Sequence, residues 1–351
     1  MRFLKIAGVT CLVLILLAVS AGVGIYFWAV RDLPGFTRIT DYNPPLVTTV
    51  LTRNDDVLGY FYKERRFLVP LEEMAPIVGK AFLAAEDSGF YEHEGVDLPG
   101  IFRAAVKNVL AGGIVQGGST ITQQVIKSLL LTPERSYARK IKEAILAYRL
   151  EKYLSKDEIL TIYLNQIYMG SGAYGVEAAA REYFATHASD LSLAQAALLA
   201  GLPKAPSRYS PLNHPEMAIK RQHYVLERLL DLGWISEEAF REATDAELVF
   251  KSEADPSWQQ GAYYLEEIRR RLIDRFGEDL VYKGGLTVRT GMDFAHQLPA
   301  ETALRNGLRA STKRRGWRGP IATLTDREYD GFLNNATLVV DALVPGEWLQ
   351  V

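Results

Sequence analysis

From Ile6 to Val30 the chain carries no charged side chain. An uncharged run of that length exceeds the roughly 20 residues that a helix needs to cross a hydrocarbon core of about 30 Å. Arg2 and Lys5 precede it, and Tyr26, Phe27 and Trp28 cluster at its far end, where amphipathic rings favour the membrane interface. Basic residues stay on the cytoplasmic side, so a single-pass anchor in the cytoplasmic (inner) membrane is expected, with everything after Val30 on the outer, periplasmic face. A cleaved leader is the alternative, since Val19-Ser20-Ala21 offers a small-residue cleavage site; the apolar run continues past it and favours the anchor. Cys11, the single cysteine, lies inside this run, which excludes an intrachain disulfide framework and a cysteine-rich zinc site. A formal charge of −2 over 351 residues argues against a nucleic-acid partner.

Beyond the anchor (1–30), the pattern suggests one catalytic region (31–250) and a different tail (251–351). Residues 31–70 hold Pro34, Pro44 and Pro45, the β-branched run Val47-Thr48-Thr49-Val50 and a turn at Asn54-Asp55-Asp56, which reads as an extended region or hairpin. From Pro76 the spacing predicts a helix that ends before Gly89. Helices are expected at 97–111, 120–131, 135–154, 156–166, 175–183, 191–201, 215–232, 236–245 and 261–276. The fold class is therefore mainly α. A strand is expected within Gly284–Thr290 and another at 336–340, so the tail reads as the incomplete start of a second, β-containing region.

Glu86-Asp87 closes a helix, where carboxylates meet the negative end of the dipole. The ionised form is disfavoured there, and the raised proton affinity suits a general base; two solvated acids at a helix end are the plainer reading. Gln116-Gly117-Gly118-Ser119-Thr120-Ile121-Thr122-Gln123-Gln124 has the form of a capping box, and its glycine pair leaves backbone N–H groups open to an anion. Lys127, Arg135, Arg139, Lys140 and Lys142 follow, many cations for a short region of a neutral chain. They suit a pyrophosphate, although such a run is commonly a solvated helix face. Glu143 falls at i+4 from Arg139, so it is either an ion-pair partner or a carboxylate kept ionised beside a charged substrate.

The strings EDSGFYEHEGVD, GGSTITQQVIK, RSYARKIKE and KDEILTIYLNQIYMGSGAYGVEAAAREYF, in this order, resemble the peptidoglycan glycosyltransferase domain (glycosyltransferase family 51) of class A penicillin-binding proteins. LSLAQAALLAGLPKAPSRYSPLNHP continues the likeness, which spans about residues 45–250. The resemblance implies a lysozyme-like, two-lobed helical domain with a membrane-dipping jaw, for which Phe61, Tyr62, Phe67, Leu68 and Val69 are candidates against ordinary core packing. It implies polymerisation of lipid II, the growing glycan passing from its undecaprenyl pyrophosphate to the 4-hydroxyl of the next lipid II. By the same resemblance Glu86 is the catalytic base and Glu143 the second catalytic carboxylate, beside the donor pyrophosphate. Asp87, Phe90, His93 and Gly95 match substrate-binding positions of the first motif, and Ser119, Thr120, Gln123, Gln124 and Lys127 those of the second. Arg135, Arg139, Lys140 and Lys142 fall where the family binds phosphate.

No cofactor is implied as required, and a divalent cation (Mg or Mn) enters only as a stimulator, with no ligand cage visible. The implied partners are lipid II, the nascent glycan strand, the bilayer and other cell-wall synthesis proteins. In the tail, GGLTVRTGMDFAHQLPAETAL resembles the linker into the transpeptidase half of a 1A-type penicillin-binding protein, and RRGWRGP the start of its inserted oligonucleotide-fold-like domain. The motifs S-x-x-K, S-x-N and K-T-G do not occur, so no transpeptidase activity is expected, and the chain reads as a fragment of a bifunctional enzyme or a shortened form. A lytic peptidoglycan hydrolase and a non-catalytic membrane scaffold are the competing readings.

Overall fold

The computed structural model describes residues 44–316 except 111, 114–116, 132–135, 253–255 and 259–260, with a few isolated positions beyond that range. Nearly all of the apolar run 6–30, Arg135, and the strand expected at 336–340 lie outside the described residues. Among the described residues no helix is long and apolar enough to cross a membrane. Strands β1 (Thr48–Leu51), β2 (Val57–Phe61) and β3 (Arg65–Arg66) precede helices α1 (Pro76–Glu86), α2 (Leu98–Leu110), α3 (Ile121–Leu130), α4 (Tyr137–Leu150) and α5 (Lys156–Gln166). Short strands β4 (Tyr168–Gly170) and β5 (Ala173–Tyr174) lead to α6 (Val176–Phe184), α7 (Leu193–Gly201), α8 (Pro215–Asp231) and α9 (Glu237–Asp245). After these come α10 (Ala262–Phe276), α11 (Glu278–Lys283), β6 (Thr287–Arg289) and α12 (Phe294–Arg314). The mainly helical expectation holds.

The helix starts follow from local chemistry. Thr120 accepts from Gln123 N–H while the Gln123 side chain accepts from Thr120 N–H, and the same reciprocal box forms at Ser155/Glu158 and Ser192/Gln195. Pro76 and Pro215 occupy first turns, where a missing N–H costs nothing. Helix α7 is apolar nearly all round, and Ala194, Ala196, Ala197, Leu198, Leu199 and Ala200 are all buried. A helix of that kind belongs at the centre of a core. Its small alanines let α1 and α8 approach closely, and those two helices pack against it. A second layer is built where α3 packs on α4 and α5.

The expected hairpin forms as β1 and β2, antiparallel, with Thr49 opposite Tyr60. Its third strand comes from beyond residue 250. β6 pairs parallel with β1, Thr49 opposite Thr287, although the strand within Gly284–Thr290 was expected to open the second region. The chain forms two compact units, Met1–Gly291 and Met292–Val351. The physical reason is a sheet edge: β1 has one side free of β2, and the backbone groups there are satisfied by β6. In the second unit, α12 is a helix that the sequence pattern did not suggest. It is capped by Asp293, whose side chain accepts from Ala295 N–H at 2.8 Å.

The jaw candidates are also redistributed. Phe61 is buried, and Phe67 packs edge-on against Tyr60, centroids 5.7 Å apart, beneath the Arg181 guanidinium. These two pack inward, whereas Leu68 is 47% exposed. Exposed apolar side chains gather instead on α2, where Leu98, Phe102, Val109 and Leu110 are each more than two-thirds exposed, at 71%, 72%, 81% and 82%.

Asn165 locks the segment that follows β3. Its side chain accepts from Val69 N–H at 2.9 Å and donates to Val69 O and Thr161 O, both at 2.9 Å. Its backbone carbonyl accepts from the buried Arg66 Nε at 3.2 Å. Asn165→Ala strips both backbone groups of Val69 of their partners and should cost about 2–3 kcal/mol, read from the denaturant midpoint at constant m-value. A loss below about 0.5 kcal/mol would show that other contacts hold this segment.

Candidate active site

The end of α1, the start of α3, the first half of α4 and the α7–α8 corner surround a cleft of about 810 Å³. Glu86, Asp87 and Ser88 contribute from the end of α1. Ser119, Gln123, Gln124 and Lys127 come from the start of α3, and Arg139, Lys140 and Glu143 from α4. The opposite wall carries Lys204, Arg221, Tyr224 and Arg228. Cations outnumber carboxylates, so the cleft attracts anions.

Glu86 is partly exposed, and its Oε2 accepts from Gln124 Nε2 at 2.8 Å. Burial raises its proton affinity above the ordinary glutamate value of 4.5; the Gln124 hydrogen bond and the charges of Arg221 and Lys204 pull the other way. The sequence pattern suggested the helix dipole as the cause of this shift, and the structure assigns it first to desolvation. Glu143 is buried and forms ion pairs with Arg139 and with Lys140 Nζ, the latter at 2.8 Å. Lys140 also donates to Ser119 Oγ at 2.8 Å, bridging α4 to the start of α3. Glu143 thus holds both cations and lines the cleft together with them.

The remaining predicted residues fall into two groups. Asp87 lines the cleft, but its oxygens are taken by His93 Nε2 at 3.1 and 3.2 Å and by Ile121 N–H at 2.9 Å. Phe90 is fully buried against Tyr91 and His93 and lies under Lys156 Nζ. Gly95 has φ +82°, and a Cβ there would meet the Ala147 carbonyl at 2.6 Å. Its own carbonyl accepts from Thr120 Oγ1 at 2.7 Å. Phe90, His93 and Gly95 thus shape the cleft without lining it, and Lys142 does not line it either. Thr120 lies in a small annex beside Glu86, which Asp97 and Arg103 of the α2 region complete. Arg135 lies outside the described residues.

Lys204, Arg221, Tyr224 and Arg228 were missed. Arg221 lies 4.2 Å over the Tyr224 ring, and a Cβ on Gly201 would come within 2.8 Å of Arg221 Cγ, so the glycine makes room for the arginine stem. The spacing 221, 224, 228 puts all three on one helical face, a signal the sequence did contain. Among the described residues no group of three His, Cys, Asp or Glu side chains could hold a metal ion.

The family model described as Transglycosylase matches residues 54–230, a span that includes every residue lining the cleft. The chain belongs to the transglycosylase family. Among curated members, penicillin-binding protein 1A of Rickettsia bellii is 40% identical over 324 residues, covering 90% of this chain and 41% of that protein. Penicillin-binding protein 1A of Aquifex aeolicus is 42% identical over 300 residues, covering 85% and 41%. The chain spans about two-fifths of the length of these relatives. The crystal structure of penicillin-binding protein 1A from Haemophilus influenzae aligns with 26% identity over 83% of this chain and 34% of that one, at a TM-score of 0.44.

The environment of Glu86 makes a prediction that needs no substrate. Its folded proton affinity exceeds the unfolded value, so the folded state binds more protons between the two pKa values. Its contribution to stability is complete below the unfolded value of 4.5 and is lost as pH rises through the raised folded value. Glu86→Gln removes that loss and keeps an acceptor for Gln124. The variant should melt higher than wild type at neutral pH, with the difference shrinking toward zero below about pH 4 in thermal scans.

Proposed function

We propose that this transglycosylase-family chain polymerises lipid II into glycan strands, releasing undecaprenyl pyrophosphate, as a peptidoglycan glycosyltransferase of cell-wall synthesis. The supporting observation is a carboxyl of raised proton affinity between two cationic walls. Glu86 accepts the proton of the acceptor 4-hydroxyl as that oxygen bonds to C1 of the donor sugar. The bond from C1 to the pyrophosphate oxygen breaks with its electron pair, and the proton later leaves Glu86 to solvent. Attack opposite the leaving group inverts α to β.

A pyrophosphate leaves readily once its charge is met, so the protein supplies a base, cations and alignment, with no acid required. Arg139 and Lys140 are pre-positioned by Glu143, and Lys127 lies on the same wall. A divalent cation (Mg or Mn) would enter only as a stimulator, and no step in this reading depends on one. A hydrolase acting on finished, uncharged glycan would have no use for these cations.

The same reading includes a two-lobed, lysozyme-like arrangement anchored in the cytoplasmic membrane through 6–30, with the nascent strand and other cell-wall synthesis proteins as partners. Exposed Leu98, Phe102, Val109 and Leu110 support α2, rather than the 61–69 segment, as the part that meets the bilayer surface.

Purified protein in detergent with labelled lipid II should form long glycan. Glu86→Gln should lower the rate at least about 100-fold, and Lys140→Ala about 10- to 100-fold. Full polymerisation by Glu86→Gln would remove Glu86 from the base role, and release of soluble muropeptides from cell walls would favour a lytic enzyme. Phe102→Asp combined with Val109→Asp should slow turnover of bilayer-embedded lipid II by about tenfold, far more than turnover of a short-chain, detergent-dispersed analogue. Equal effects in both assays would place α2 away from the bilayer.

A further inference from the structure

One buried polar group that feels the charge of Glu86 is left unused by the proposed reaction. Tyr163, on α5, is buried, and its hydroxyl has no hydrogen-bond partner among the described residues. Leaving a buried hydroxyl unpaired costs about 1–3 kcal/mol, and folded proteins retain few such groups. The Tyr163 ring packs edge-on against Phe82, centroids 6.2 Å apart at 76°. Phe82 lies one turn before Glu86 and on the same face of α1. The negative charges of Glu86 and Asp87 both act on the phenol, which burial already holds well above its ordinary proton affinity. It is therefore a neutral donor at any working pH.

Of the two carboxylates near it, Asp87 is already engaged by His93 and by Ile121 N–H. Among the described residues Glu86 receives one hydrogen bond, from Gln124, a side chain that itself lines the cleft. Resting on the reading of Glu86 as the base, we propose that Tyr163 is a positioning residue for it. Its hydroxyl donates to the ionised Glu86 carboxylate, directly after a side-chain rotation or through one water, and turns the other oxygen toward the acceptor hydroxyl.

The groups that act on Glu86 are Gln124 from α3, Arg221 from α8, Lys204 from the turn after α7 and its neighbour Asp87, and the charge of Glu86 in turn acts on the Tyr163 phenol. Substrate anions compete with Glu86 for Lys204 and Arg221, and substrate hydroxyls compete for Gln124. The buried phenol has no such competitor, so its hold on the base persists through the reaction. A donor to the ionised form also lowers proton affinity, so Tyr163 moderates the rise that burial imposes on Glu86.

The test uses the full chain in detergent, as wild type and Tyr163→Phe, with two readouts. In lipid II polymerisation, the variant's kcat at neutral pH should fall about three- to tenfold with KM within about twofold, and the acid limb should move up by about half to one pH unit. Without substrate, the Glu86 carboxyl ¹³C titration, assigned by its absence in Glu86→Gln, should move up by the same amount. 3-Fluorotyrosine at position 163, a stronger donor of the same shape, should move both midpoints down, and it keeps the test open should the phenylalanine variant fold poorly. Unmoved midpoints in both substitutions overturn the inference, even where polymerisation by wild type upholds the transferase reading. A wild type that makes no glycan yet shows the shifted titration would uphold the Tyr163–Glu86 coupling and sink the transferase reading.

Discussion

Asp87 joins more of this molecule than its size suggests. Its carboxylate ends α1, receives the first N–H of α3 from Ile121, and binds the His93 ring of the intervening loop. A helix N-terminus favours a negative charge, and a buried carboxylate needs such partners, so each side of the contact satisfies the other. From His93 the connection continues: Lys156 donates to the His93 carbonyl at 2.6 Å, pairs with Glu151 at 2.7 Å, and lies 4.5 Å over the Phe90 ring. Glu151 in turn accepts from Thr122 on α3. Helices α1, α3 and α5 are thereby tied through a closed polar circuit. Glu86, one residue before Asp87, and Gln124, one turn into α3, inherit fixed positions from it.

The cationic side of the cleft follows a second constraint. Burying an ion pair costs desolvation that Coulomb attraction often only offsets, so the Glu143 cluster is a poor device for stability alone. Its effect is geometric. Without a counter-ion, Arg139 and Lys140 would repel each other and extend into water; with Glu143 beneath them they stay together, and Lys140 reaches across to Ser119. Charges held in place before a ligand arrives need no reorganisation when it does.

Legibility from the sequence tracked the range of the interaction. The capping box of Thr120 and Gln123, the end of α1 and the helical spacing are local, and all could be read from neighbouring residues. The pairing of β6 with β1 joins Thr287 to Thr49, and nothing in either short segment marks its partner. Phe61 and Phe67 looked like surface candidates because a short aromatic run gives no sign of which side a sheet will cover. Among the site residues, resemblance grouped Asp87, Phe90, His93 and Gly95 together, and the structure separates them: Asp87 lines the cleft, while Phe90, His93 and Gly95 pack behind it. Arg221 escaped notice because an arginine on a charged helix normally points to water. The close packing of Gly201 in α7 against its stem makes room for it at the α7–α8 contact.

The two walls thus have different origins: one is built from motif residues around Asp87, the other from the packing of α7 and α8. Their convergence on Glu86 gives the carboxyl an environment that ligand binding must alter. Arg221 and Lys204 lower its proton affinity, while burial raises it. An anion that settles on those cations screens their charge and excludes further water, and both changes raise the proton affinity of the carboxyl. An anionic ligand in this cleft therefore raises the proton affinity of Glu86 as it binds. A motif on a single helix could not produce that coupling, because it needs the opposing wall.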